Sequence, residues 1–160
     1  MNKKINKLIK EFGISSDIQL KQLADELGLN LIYVGFAENL PTDAKNGCYI
    51  INLGDFDRGG THWTCLYIEK PNAFYYDSYA GAPEDKVIQW LEQNGIKNLI
   101  WNDYFQMQKL EETLCGIYCI IFLYHMTYNK KKSLMDRFKD FTKNFTDLDG
   151  EYSAGSVLNL

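Results

Sequence analysis

The sequence predicts an α+β domain, a mainly antiparallel central sheet flanked by helices, with a cysteine at the N-terminus of a buried helix. Three observations carry this reading. Short β-branched and aromatic runs cluster mid-chain, at 48–53 (CYIINL), 63–68 (WTCLYI) and 73–76 (AFYY), separated by turns containing Gly, Asp or Pro. Stretches with apolar residues at helical spacing flank that cluster on both sides. Neither a repeat nor a dividing linker interrupts the 160 residues, so 1–160 reads as a single domain.

Each element has its own local signal. Ile5, Leu8, Ile9 and Phe12 recur at helical spacing. Ser16 with Gln19 forms a capping box ahead of Leu20, Leu23, Ala24 and Leu27, and Gly28 ends that helix. Residues 29–36 read as a strand and 40–43 (LPTD) as a turn, before the three central strands. Pro83 suits the first turn of a helix carrying Val87, Ile88 and Leu91, closed by Gly95 and followed by a short strand at 98–101. Thr113 caps an apolar helix running to Tyr128, and the lysines at 130–132 break it. Ser133 with Asp136 resembles a second capping box, leading Leu134, Phe138, Phe141 and Phe145 down one face. From Asp147 the tail is polar and contains Gly.

Composition narrows the function classes. With 46% hydrophobic and 24% charged residues, the chain lies far from disordered compositions, and 14% aromatics with three prolines exclude collagen-like and mucin-like readings. Seventeen basic against 21 acidic side chains give a net charge of -4, which argues against a polyanion binder, so no nucleic-acid partner is expected. The start lacks the apolar core and small-residue cleavage site of a signal peptide, so no export is implied. The longest apolar stretch, 114–126, is interrupted by Gly116 and His125 and falls short of the roughly 18 residues of a membrane span. It reads as a buried helix, and no membrane partner is expected. Cys48, Cys65, Cys115 and Cys119 are expected as free thiols.

One thiol stands apart. Cys115 sits just inside the apolar helix, where the helix dipole favours a thiolate, and is followed by Gly116, which costs a helix about 1 kcal/mol against Ala unless backbone must approach something closely. A lone buried Cys more often simply packs, and that is the reading for Cys48, Cys65 and Cys119. A reactive thiol needs a base. His125 lies on the same helix, about 15 Å along its axis, and cannot reach Cys115. His62 follows Gly59, Gly60 and Thr61 and begins a strand, at a sheet end where sites assemble.

An imidazole base is oriented by a third polar group. Asp77 ends the next apolar run, so an antiparallel hairpin would bring it beside His62, whereas Asp55, Asp57, Asp85 and Asp103 lie in capping or loop contexts. Gln106 and Gln108, in the loop before Cys115, offer side-chain amides to a developing oxyanion. A zinc site fits badly, since Cys115 and Cys119 are not spaced as a C-x-x-C knuckle and His62 and Cys65 point to opposite faces of one strand. No metal and no cofactor is expected.

The successive segments Gly60-Thr61-His62-Trp63, Tyr76-Asp77-Ser78, Gln106-Met107-Gln108 and Cys115-Gly116-Ile117-Tyr118-Cys119 resemble the motifs of adenovirus-type (adenain-like) cysteine proteases. The ubiquitin-like-protein proteases share the same order. Residues 48–53 ahead of the His-Trp pair, with the Q-x-Q segment, are most similar to versions in virophages and polinton-like viruses, and the resemblance spans about residues 40 to 145. It implies a thiol endopeptidase with Cys115 as nucleophile, His62 as base, Asp77 as its orienting acid and Gln108 as oxyanion donor, Gln106 being the second choice. Trp63 would shield the imidazole or contact substrate, although a strand Trp is by default a core residue.

The resemblance further implies a monomer acting on viral capsid or core precursors during virion maturation, in the host cytoplasm or viral factory, and packaged in the particle. Adenovirus protease has Glu at the acid position, is basic, and is activated by DNA and by a disulfide-bound peptide. This chain has Asp77 and an acidic balance, so nothing supports a DNA cofactor, and none of its cysteines is assigned to an activating peptide. Alternative readings are a protease removing ubiquitin-like modifiers, a catalytically dead peptide-binding module, and a zinc-stabilised interaction domain.

Overall fold

A computed structural model describes residues 16–54, 62–103 and 115–143. Helix α1 (Asp17–Glu26) is followed by strand β1 (Leu31–Phe36), a single 3₁₀ turn (Ala37–Asn39), β2 (Gly47–Asn52), β3 (Trp63–Glu69), β4 (Asn72–Tyr76), helix α2 (Asp85–Gln93), β5 (Asn98–Trp101), and helices α3 (Cys115–Tyr128) and α4 (Leu134–Thr142). The expected helix at 5–12, the Thr113 cap, the segment 59–61, Gln106 and Gln108, Phe145 and the tail from 147 lie outside the described residues.

The five strands lie side by side in chain order. The centre, β2-β3-β4, is antiparallel as expected, while β1 joins β2 and β5 joins β4 in parallel. The direction of the edges follows from their connections. A tight turn at residues 70 and 71 reverses the chain between β3 and β4, whereas residues 77–97 carry α2 across one face and return the chain in the same sense.

Both faces of the sheet are covered. Cys48, Ile50, Cys65, Phe74 and Tyr76 face α1, α3 and α4. Their strand neighbours Tyr49, Ile51, Leu66, Ala73 and Tyr75 face α2 through Val87 and Leu91. Because alternate side chains point to opposite faces and both faces are buried, the strands read as unbroken apolar runs rather than alternating ones.

Helix α3 is apolar nearly all round, as befits a helix wedged between the sheet and two other helices. Its central Phe122 stacks on Tyr76 with ring centroids 4.5 Å apart and planes inclined by 7°, and Phe74, Phe138 and Phe141 close around it. This cluster fixes the first residue of α3 relative to the end of β4. Among the described residues no helix is long and apolar enough to cross a membrane.

At the ends of α1 and α2 the local signals hold with two adjustments, and at the start of α4 Ser133 Oγ accepts from Asp136 N–H. In the α1 capping box, Ser16 Oγ accepts from Gln19 N–H and Gln19 Oε1 accepts from Ser16 N–H. At its other end Gly28 adopts φ +68°, with Leu29 N–H donating to Ala24 O and Gly28 N–H to Asp25 O. That Schellman closure uses Leu29, so the strand expected from 29 begins at Leu31. Helix α2 starts at Asp85 behind Glu84 at the cap, leaving Pro83 just outside the first turn.

Candidate active site

Three of the four residues singled out by sequence meet where the sheet end faces the start of α3. His62 immediately precedes β3, and its carbonyl accepts from Leu53 N–H at 2.9 Å, which prolongs the β2/β3 ladder past Asn52↔Trp63. Asp77 immediately follows β4. The hairpin places His62 Nε2 2.7 Å from Asp77 Oδ1, with both side chains buried. Cys115 opens α3, and its Sγ accepts from Trp63 N–H at 3.4 Å. The fourth position, Gln108 or Gln106, lies outside the described residues.

The start of α3 is laid against the start of β3 by a second thiol. Cys119, one turn on, donates from Sγ to Trp63 O at 3.5 Å, and Cys65 Sγ donates to Cys119 O at 3.9 Å. Cys48 lies 3.7 Å from Thr127 Oγ1. These three thiols are buried packing groups, as expected. Trp63, expected to shield the imidazole or contact substrate, is only 7% exposed and belongs to the core cluster that includes Cys115. It reaches the site through its backbone N–H.

The four thiols differ electrostatically. Burial pushes Cys48 up to about 12 and raises Cys65 and Cys119 as well. Cys115 is lowered: burial again raises it, but His62, the Trp63 and Gly116 N–H groups and the His62 charge together outweigh that effect. His62 moves the opposite way, to about 9, because burial is outweighed by Asp77 and by the Cys115 thiolate. The pair favours thiolate and imidazolium together. With Nε2 committed to Asp77, the buried Nδ1, which has no hydrogen-bond partner among the described residues, is the ring nitrogen left for the thiol.

Three residues that sequence reasoning passed over complete the arrangement. Tyr79 stacks on the His62 ring, centroids 4.5 Å apart, and its N–H donates to Asp77 Oδ1 at 2.8 Å. Gly81 passes so close to Asp77 that an added Cβ would lie 2.6 Å from Oδ2. Asn102, fully buried after β5, bonds both backbone groups of Asp77. Between them, Ala80 at φ 62° donates to Asp77 O at 2.8 Å and closes the turn. The only signals in the sequence are a Gly in the AGAP segment and an Asn after a short strand, and both read as ordinary turn residues.

His125 lies far along α3 against Phe141 and Tyr124, and burial lowers its pKa. It takes no part in the site. Among the described residues no three of the His, Cys, Asp and Glu side chains are grouped as ligands of a metal ion.

No family model matches the chain, and no curated protein matches it. Among solved structures, the crystal structure of the selenomethionine ASFV pS273R protease is similar at 16% identity and a TM-score of 0.43, over 69% of this chain and 41% of that one. The chain thus spans less than half the length of that protease. At that degree of likeness, any functional reading rests on the site's own geometry.

Proposed function

We propose that the chain is a thiol endopeptidase acting on protein substrates. The observation that carries this is a single buried cluster in which His62 is bound to Asp77 at 2.7 Å, the N–H of the next residue, Trp63, donates to Cys115 Sγ at 3.4 Å, and Cys115 is the one described thiol whose pKa is lowered. A packing cysteine needs neither an imidazole nor a helix N-terminus, and Cys48, Cys65 and Cys119 have lost the tendency to ionise instead.

In the reaction, the Cys115 thiolate attacks the peptide carbonyl carbon, and the oxygen takes the negative charge. The backbone N–H of Cys115 and the side-chain amide of Gln108, with Gln106 as second choice, donate to that oxyanion. His62 gives its Nδ1 proton to the leaving amine as the C–N bond breaks, which leaves a thioester. Neutral His62 then takes a proton from water, hydroxide adds to the thioester, and collapse expels the thiolate and the new carboxylic acid. Asp77 holds the ring through Nε2 in both halves of the cycle.

The resemblance of the His62-Trp63, Asp77, Gln108 and Cys115-Gly116 motifs to adenovirus-type proteases supports the finer reading. In it the enzyme is a monomer that processes viral capsid or core precursors during maturation, in the host cytoplasm or viral factory, and is packaged in the virion. The test is labelling by a peptide carrying a thiol-directed electrophile, with precursor cleavage assayed beside it. Labelling of Cys115 that is lost in His62→Ala supports the peptidase. Equal labelling of both proteins contradicts it, and preference for a probe ending in the diglycine tail of a ubiquitin-like modifier moves the substrate class to modifiers.

A further inference from the structure

The β4/β5 ladder ends at Tyr75↔Trp101. Beyond it, Asp77 has no strand opposite its buried N–H, and its C=O has only the turn bond from Ala80 N–H. Asn102 serves both groups from one side chain: Oδ1 accepts from Asp77 N–H at 2.9 Å, and Nδ2 adds a second donor to Asp77 O at 2.6 Å. It is fully buried, so water does not compete for these bonds. An Asn side chain is a peptide unit on a short stem, with acceptor and donor in one plane. Asp offers no donor, Leu offers neither group, and Gln is a methylene too long for the same approach.

The ladder is thereby continued by an imitation of a strand, and its last rung is the residue whose carboxylate holds His62 Nε2. We infer that Asn102 is a positioning residue of the thiol site, which clamps the Asp77 backbone so that Oδ1 stays on His62 while substrate binds and leaves. This rests on the reading of Cys115, His62 and Asp77 as a hydrolytic centre. A shift of Asp77 would loosen the imidazole and, through it, the thiolate, although Asn102 touches neither.

The test compares wild type with Asn102→Asp, which when ionised keeps the shape and the acceptor but loses the donor toward Asp77 O, and with Asn102→Leu, which loses both groups at every pH. Three quantities are measured: the pH profile of Cys115 alkylation by iodoacetamide, the NMR titration of the His62 ring, and kcat and KM on a cleaved peptide. A folded Asn102→Asp protein is expected to lose about tenfold or more in kcat with KM little changed, the scale of a displaced catalytic group. Its thiol profile should move toward that of free cysteine, and Asn102→Asp should add nothing in an Asp77→Ala background.

A folded Asn102→Leu protein with the wild-type profile and rate overturns the inference, whatever its melting temperature. If the substitution unfolds the chain, hydrogen exchange of the wild-type Asp77 amide decides. Protection equal to that within β4 supports the clamp, and exchange at open-loop rates overturns it. Should the profile shift while even wild type cleaves no peptide, the positioning role stands and the peptidase reading falls.

Discussion

Tyr79 lies across His62, the ring centroids 4.5 Å apart and the planes inclined by 24°, while its backbone N–H donates to the same Asp77 oxygen that holds the imidazole. One residue thus limits both the tilt of the ring and the swing of the carboxylate. The two contacts separate by substitution. Tyr79→Ala keeps the N–H and loses the stack, worth about 0.5–1.5 kcal/mol, so kcat/KM on a peptide should fall about two- to tenfold. Tyr79→Phe should stay near wild type, and a Phe variant as impaired as Ala would assign the effect to the hydroxyl instead.

Gly81 is where the chain passes closest to the carboxylate. Since an added Cβ would lie 2.6 Å from Asp77 Oδ2, Gly81→Ala forces the turn or the carboxylate to move. Activity should fall roughly ten- to hundredfold, because small misplacements of a catalytic group are amplified in rate. Thermal unfolding should change far less, since Gly81 is partly exposed just past the turn that follows β4. Equal losses in the two measurements would make Gly81 a residue of the fold rather than of the site.

The paired shifts fix the sign of the pH dependence. His62 rises from 6.5 to about 9, so the stability it contributes is fully present below 6.5 and is lost as pH rises through about 9. Cys115 is lowered, so its contribution is present above its unfolded value and is lost as pH falls through its folded one. Where the two overlap they oppose each other, so the stability gap between wild type and His62→Gln, measured by urea unfolding, should narrow from pH 6.5 up to the folded Cys115 value and hold nearly level from there to about pH 9. Proteolysis should decline over the alkaline end of that range, as the imidazolium that protonates the leaving amine disappears. A gap that widens with pH would reverse the assigned charge state.

Phe122 carries the stability side of the account. Its ring is enclosed by Tyr76, Phe74, Phe138 and Phe141, so Phe122→Ala should cost about 3–5 kcal/mol in denaturant unfolding. A loss below about 1 kcal/mol would mean that the cluster re-closes over the gap.

The legible parts of this molecule are those whose signal is local. The Ser16–Gln19 box, the Gly28 stop and the apolar runs of β2, β3 and β4 each rest on contacts within a few residues or on burial of a whole strand. His62, Asp77 and Cys115 stood out because their chemistry is rare and each sits at an element's end. The parallel edges did not, since strand direction depends on how a connection crosses the sheet. Asn102, Tyr79 and Gly81 were hidden for a related reason. They act on Asp77 through backbone bonds, a ring face and the lack of a Cβ, none of which has a sequence pattern until the turn after β4 is in place.

The most direct test is the rate at which iodoacetamide modifies each cysteine at neutral pH, read by peptide mass spectrometry in wild type and in His62→Ala. Cys115 should react at least about tenfold faster than Cys48, Cys65 and Cys119 in wild type, and that advantage should collapse in His62→Ala. A Cys115 no faster than the buried thiols, or one whose rate is unchanged without His62, would contradict the assignment of Cys115 and His62 as an activated nucleophile and its base.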